Sequence, residues 1–123
     1  MKEFDLNGTL MNRNTELARF SIEKGRSVLF EQLCFDKKQF PFDMGIYQNG
    51  TTLVNTLLVR VVPETRQGLL EDLEKAGIHG YDLSAILRHQ NASSFEDTFW
   101  VRFDGEGPQT WEQLRAKLGY TTV

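Results

Sequence analysis

Cysteine, proline and long apolar runs are scarce in this chain of 123 residues, and each scarcity excludes a class of protein. The single cysteine, Cys34, rules out a disulfide within the chain. The longest apolar stretch, residues 57–62, is interrupted by Arg60 and is far too short to span a bilayer. The first residues hold no apolar signal core. We therefore expect a cytoplasmic protein without membrane contact.

Strong charge of either sign is also lacking, because 14 Lys and Arg residues face 17 Asp and Glu residues and leave a formal net charge of −3. Nucleic-acid binders usually carry a basic face, whereas the longest basic run here is Lys37-Lys38. Nucleic acid is therefore an unlikely partner. A weak nucleic-acid-binding regulator stays an alternative, and it requires Arg13, Arg19, Arg26 and the two lysines to gather on one face.

The composition is that of an ordinary globular domain, with 40% hydrophobic, 25% charged and 11% aromatic residues. A chain of this length buries enough apolar surface for one core without disulfides. No internal repeat or long linker divides it, so residues 1–123 are predicted to form one domain. The patterning predicts an α+β fold in which an antiparallel N-terminal β-meander packs against three or four helices, with a late aromatic strand.

The first third of the chain reads as strands joined by tight turns. Asn7-Gly8 predicts a hairpin turn, since both residues tolerate positive φ. Alternation of apolar and polar residues predicts a strand over 15–23, and Lys24-Gly25 turns the chain into a further strand over 27–35. In this last strand one face carries Val28, Phe30 and Cys34 and the other carries Leu29 and Leu33. Residues 36–50 read as a loop pinned to the body by Phe40 and Phe42.

The middle of the chain reads as three helices. The first begins at Thr51 or Thr52 and runs to about Val61, although its β-branched residues leave a strand as an alternative. The second follows Pro63 and stops at Gly77, and the third runs from Asp82, as its cap, to Gln90.

The last third combines a strand and a helix. Residues 98–103 predict the aromatic strand, and residues 105–108 predict a turn. Thr110 with Gln113 forms a capping box that opens a helix to Leu118, closed by Gly119, and Ser93 with Glu96 resembles another capping box.

Six aromatic residues are concentrated in this third: Phe95, Phe99, Trp100, Phe103, Trp111 and Tyr120. Most of them fit a core, but large aromatics lie on both faces of the 98–103 strand. Such a strand must be covered on both faces, either by the domain itself or by a partner. A partner would then contact an aromatic patch with an acidic rim, predicted at Phe99, Phe103, Asp104, Glu106, Trp111 and Glu112.

No complete catalytic or metal-binding motif is present. Residues 4–10 resemble the first motif of haloacid-dehalogenase-type phosphatases, in which Asp5 would be the nucleophile, but Asn7 stands where the acid–base carboxylate belongs and cannot exchange a proton as a carboxyl does. Cys34, His79 and His89 lack the spacing of metal ligands, and Cys34 fits a small core residue. We expect no catalytic residue, no metal and no cofactor.

Several short segments carry a family resemblance: residues 11–20, 40–42, 93–103 and 110–112. They resemble the N-terminal region of HipA-like kinases of Gram-positive gut bacteria, while residues 60–66 and 80–83 resemble small proteins of phages and conjugative elements. The kinase catalytic motifs do not occur in this sequence, so no kinase residue carries over. The resemblance implies an accessory or regulatory module from a mobile element.

Together these features predict a non-enzymatic binding module that modulates or inhibits a larger protein. The expected target is a host defence nuclease, as for anti-CRISPR proteins, or a HipA-like kinase. A small enzyme of unrecognised type remains an alternative. A homodimer is a further possibility, because a second copy can cover a free strand face or edge.

Overall fold

A computed structural model describes residues 3–39, 50–58, 67–93 and 97–118, and its architecture is the predicted α+β arrangement. In chain order the elements are β1 (Leu6–Asn12), β2 (Thr15–Glu23), β3 (Arg26–Gln32), a 3-10 turn (Lys37–Gln39), α1 (Gly50–Leu58), α2 (Leu69–Lys75), α3 (Leu83–Gln90), β4 (Phe99–Arg102) and α4 (Trp111–Leu118). The strands form one antiparallel sheet in the order β3-β2-β1-β4, so β3 and β4 are its edges.

The predicted hairpin turn at Asn7-Gly8 is wrong, because β1 runs straight through both residues. A Cβ atom on Gly8 would lie 2.6 Å from the carbonyl oxygen of Arg102, so glycine is required here by the close approach of β4. The chain reverses instead at Arg13-Asn14, where Arg13 adopts a left-handed φ of 51°. The first hairpin turn of the chain therefore lies at Arg13-Asn14, six residues after the predicted position at Asn7-Gly8.

The strand β2 has the predicted bounds, and Lys24-Gly25 forms the predicted turn into β3. The alternation within β2 is confirmed from Ala18 onward, since Ala18, Phe20 and Ile22 are buried, but Leu17 of the other face is fully buried as well. The strand β3 ends at Gln32, three residues before the predicted end at Phe35. Its register with β2 shifts between Ser21 and Ile22.

The three helices of the middle region are present, but the second begins only at Leu69, since Gln67 and Gly68 form a turn, and not directly after Pro63 as predicted. The helix α1 begins at Gly50, so the predicted caps Thr51 and Thr52 lie inside its first turn. The side chain of Asp82 caps α3 by accepting a hydrogen bond from the backbone N–H of Ala85 at 3.2 Å. Gly77 ends α2 with a φ of 80°. The predictions for Phe40, Phe42, Val61, Pro63, Glu96 and Gly119 lie outside the described residues.

The helix α4 begins as predicted at Thr110, whose hydroxyl accepts a hydrogen bond from the N–H of Gln113 at 3.2 Å. The Gln113 side chain accepts from the N–H of Gln109 at 2.8 Å rather than from that of Thr110. None of the helices in the described ranges is long and apolar enough to cross a membrane.

The two faces of the sheet are covered to different extents. One face, here called the core face, packs against α1 and α3 through a cluster that includes Leu10, Phe20, Leu57 and Leu87. On the other face, here called the open face, Met11 and Trp100 pack against Leu114 of α4. This second cluster occupies only the end of the open face near the β1–β2 hairpin, because Met11 and Trp100 pair near the end of β1.

Candidate protein-binding surface

The aromatic strand is covered on both faces by the chain itself, so its aromatics form no exposed patch. Phe103 is only 6% exposed and Phe99 packs partly buried against the same core-face cluster. Trp100 is fully buried and donates its indole N–H to the carbonyl of Arg13 at 2.7 Å. Trp111 is half-buried against the open-face cluster. The burial of Phe103 leaves little of its side chain exposed, and its contact with a partner stays a prediction.

The three predicted acidic residues are exposed but do not form one rim. Glu112 lies by the β1–β2 hairpin, where the Asn14 amide reaches both of its carboxylate oxygens at 3.2 Å. Its own backbone N–H, and then Asn14, hold the pKa of this carboxyl below its usual value. Asp104 and Glu106 lie in the turn after β4, at the other end of that strand. The acidic residues are thus divided between the two ends of β4.

Exposed apolar side chains are concentrated on the opposite edge of the sheet. Five large apolar side chains are exposed among the described residues, and four of them lie on β3 and the segment that follows it. These four, here called the edge surface, are Val28 (56% exposed), Leu29 (48%), Leu33 (36%) and Phe35 (78%). The fifth is Leu70 of α2, which is 63% exposed.

The position of β3 explains this exposure. As an edge strand it has a sheet neighbour on one side only, among the residues that the structure describes. Phe30 lies opposite Phe20 and turns to the core face, whereas Leu29 lies opposite Ser21 and turns to the open face. The register shift adds Val28 as an extra residue in β3. The sequence signal for this surface is the presence of apolar residues on both faces of the 27–35 segment. Residues 98–103 carry the same signal, so it does not distinguish the exposed strand from the covered one.

A groove crosses the part of the open face that α4 leaves uncovered. Leu29, Ser21 and Asn7 are neighbours across three strands, and the turn with Asp104 and Glu106 lies beyond them. These residues line a groove of about 370 Å³.

Arg88 of α3 also lines this groove. Its guanidinium lies 3.5 Å from the Glu106 carboxylate and 4.9 Å from the centre of the Phe103 ring. Two of the predicted partner residues, Asp104 and Glu106, are therefore brought to the same groove as Leu29 of the edge surface.

Basic and acidic side chains alternate on the open face. Arg19 lies opposite Glu31 and Arg26 lies opposite Glu23 in the β2–β3 register. Arg102 of β4 forms an ion pair with a carboxylate oxygen of Glu16. Because each of these arginines has an acidic residue beside it, they do not form the continuous basic face that a phosphate backbone requires.

The residues with catalytic potential have structural roles in the described part of the chain. The Asp5 carboxylate accepts a hydrogen bond from the backbone N–H of Lys24 at 2.8 Å and so fastens the β2–β3 turn. Cys34 is half-buried against the core-face cluster, as expected. Within the described ranges no three His, Cys, Asp or Glu side chains come together as a group that could hold a metal ion.

Comparison with known proteins returned no match to a family model, to a curated protein or to a solved structure.

Proposed function

We propose that this protein is a non-enzymatic binding module that docks on a larger protein through the edge surface and the adjoining groove. The supporting observation is the concentration of exposed apolar side chains at the β3 edge of the sheet, from which the groove leads past Leu29 to the exposed carboxylates Asp104 and Glu106. Clustered exposed apolar residues with a polar rim are typical of protein interaction sites.

The size of the edge surface supports a partner that binds and dissociates. With about 200 Å² as the full area of a large apolar side chain, its four residues expose about 400 Å². A standard interface buries about 800 Å² on each partner, and obligate dimers bury considerably more. The edge surface therefore fits the apolar centre of a standard interface, with the groove residues as its rim.

The open face, with its interleaved charges, favours a protein over a nucleic acid as the partner. The net charge of −3 favours a partner with a basic surface, whereas the groove itself is balanced, with Arg19 and Arg88 beside Asp104 and Glu106. Modulation or inhibition of a defence nuclease or of a HipA-like kinase, and an origin in a phage or mobile element, remain predictions from the sequence.

The test is capture of the partner from cells of the source organism by tagged protein. Leu29→Asp places a charge at the centre of the edge surface. Because loss of a buried interface anchor costs about 2 kcal/mol or more, we expect this variant to weaken capture at least tenfold. The matched control is Leu70→Asp, at a leucine on α2 that is more exposed (63%) than Leu29 (48%). Capture that survives Leu29→Asp, or that fails equally in both variants, would contradict the proposal.

A further inference from the structure

We infer that the partner docks by adding an extended segment to the outer edge of β3, where the described residues place no further strand, so that the sheet continues into the partner. This inference rests on the proposed function and names how that surface is used. Strand addition takes affinity from backbone hydrogen bonds and specificity from alternate side chains.

The backbone of β3 has hydrogen-bonding groups that point away from β2. The N–H of Leu33 donates to the carbonyl of Leu17 at 2.8 Å, and the register from there to the pair Ser21–Leu29 is regular. In an antiparallel ladder, hydrogen-bonded and non-hydrogen-bonded pairs alternate. The backbone groups of Phe30 and Gln32 must then point outward, to a side where the described part of the chain places no further strand.

The side chains of β3 on the open face define the sequence that would fit. Leu29, Glu31 and Leu33, spaced two residues apart along β3 and the residue that follows it, all turn to this face. An added segment would place two apolar residues against the leucines and one basic residue against Glu31, whose carboxylate can accept from this residue as well as from Arg19. The required pattern is apolar, basic, apolar at alternate positions, and it reads the same in either strand direction.

A second copy of β3 fits this edge poorly. Two copies related by a two-fold axis pair residues from the same face, and the register that buries Leu29 against Leu33 puts Glu31 of one copy directly opposite Glu31 of the other. Like charges in that position are destabilising. In that register the edge favours a segment of a different protein, which we take as the occupant.

Proline at residue 32 tests the backbone hydrogen bonds directly. Gln32→Pro removes an outward N–H and leaves the ladder to β2 intact, which an edge strand tolerates. The control is Gln32→Ala, since both variants lose the hydrogen bond from the Gln32 amide to the carbonyl of Cys34 at 2.9 Å. Circular dichroism verifies that both variants are folded.

The probe is a capped peptide with the central sequence Val-Thr-Lys-Thr-Val, compared with the same peptide carrying Glu in place of Lys. We expect the lysine peptide to bind the wild type and Gln32→Ala, to bind Gln32→Pro about tenfold more weakly, and to slow amide exchange at Phe30 and Gln32. The glutamate peptide should bind more weakly to every variant.

Two results would overturn strand addition: no binding of the lysine peptide to the wild type, or equal binding to Gln32→Pro and Gln32→Ala. A wild-type dimer that Gln32→Pro dissociates in sedimentation would instead overturn the assignment of the occupant to a different protein, because a second copy would then pair with the edge. If Gln32→Pro still captures the cellular partner while Leu29→Asp does not, strand addition fails and the proposed function stands. If Leu29→Asp captures it normally, the proposed function itself fails.

Discussion

Replacing Gly8 by alanine tests whether β1 runs through the Asn7-Gly8 pair. The new Cβ would lie 2.6 Å from the Arg102 carbonyl oxygen and 3.0 Å from a methyl carbon of Val101, both on β4. A carbon–oxygen contact is normally at least about 3.3 Å, so β4 must move outward and weaken its pairing with β1.

Overpacking of this kind costs about 1–3 kcal/mol, and the lower chain entropy of alanine returns about 0.5–1 kcal/mol. Because the 2.6 Å contact is with a backbone atom, we take the upper part of that cost, about 2–2.5 kcal/mol, and the net loss in the free energy of unfolding is then about 1–2 kcal/mol. For a domain of this size that lowers Tm by roughly 4–8 °C. Chemical denaturation and thermal melting measure both quantities, and amide exchange should show the loss of protection in β4.

Asparagine at the same site separates a strand from a turn. Asparagine tolerates the left-handed conformation better than alanine does, so a turn at Gly8 would make Gly8→Asn the milder change. If Gly8 lies in the strand, Gly8→Asn should destabilise the protein more than Gly8→Ala does, because the asparagine side chain adds more atoms against β4. Gly77 is the control, since it has a φ of 80° and open space around it, and there asparagine should be milder than alanine. A neutral Gly8→Ala, or the same order at both glycines, would refute the strand.

Two further predictions concern the helix termini. Asp82→Ala removes the cap of α3 and should cost about 1 kcal/mol in urea denaturation, whereas Asp82→Asn should cost only a few tenths; equal losses would contradict the cap. Glu112 has a lowered pKa in the folded state, so the stability that it contributes is present above its usual value of 4.5 and is lost as the pH falls through the folded pKa. Glu112→Gln should therefore flatten the fall in Tm between about pH 5 and about pH 3, and an unchanged slope would contradict this.

Local sequence signals identified most of the helices and strands. The cap at Asp82, the stop at Gly77 and the alternation within β2 each depend on neighbours in the chain, and each was found where expected. The class of the fold follows from such elements, since amphipathic helices and a meander can bury their apolar faces only against one another.

The misplaced hairpin shows where local reasoning stops. Asn7-Gly8 has the chemistry of a turn, but Gly8 is required because β4, which lies far along the chain, passes too close for a side chain. The actual turn uses Arg13 in a left-handed conformation, which residue type alone does not indicate. Both features depend on tertiary packing.

The edge surface was missed for a related reason. Residues 27–35 and residues 98–103 both carry apolar side chains on two faces, so the sequence alone cannot say which strand is covered. The fold covers β4 with both clusters, through Phe103 on one face and Trp100 on the other. It places β3 at the edge, where the side chains of Leu29 and Phe35 remain exposed.

Site-specific photo-crosslinking tests the central claim most directly. A photoreactive phenylalanine analogue is introduced at Phe35, and separately at Leu70, in protein expressed in cells of the source organism. The binding proposal predicts a heavier crosslinked product with a partner protein from position 35 and none from position 70. A product from position 70 alone, or no product from position 35, would contradict it.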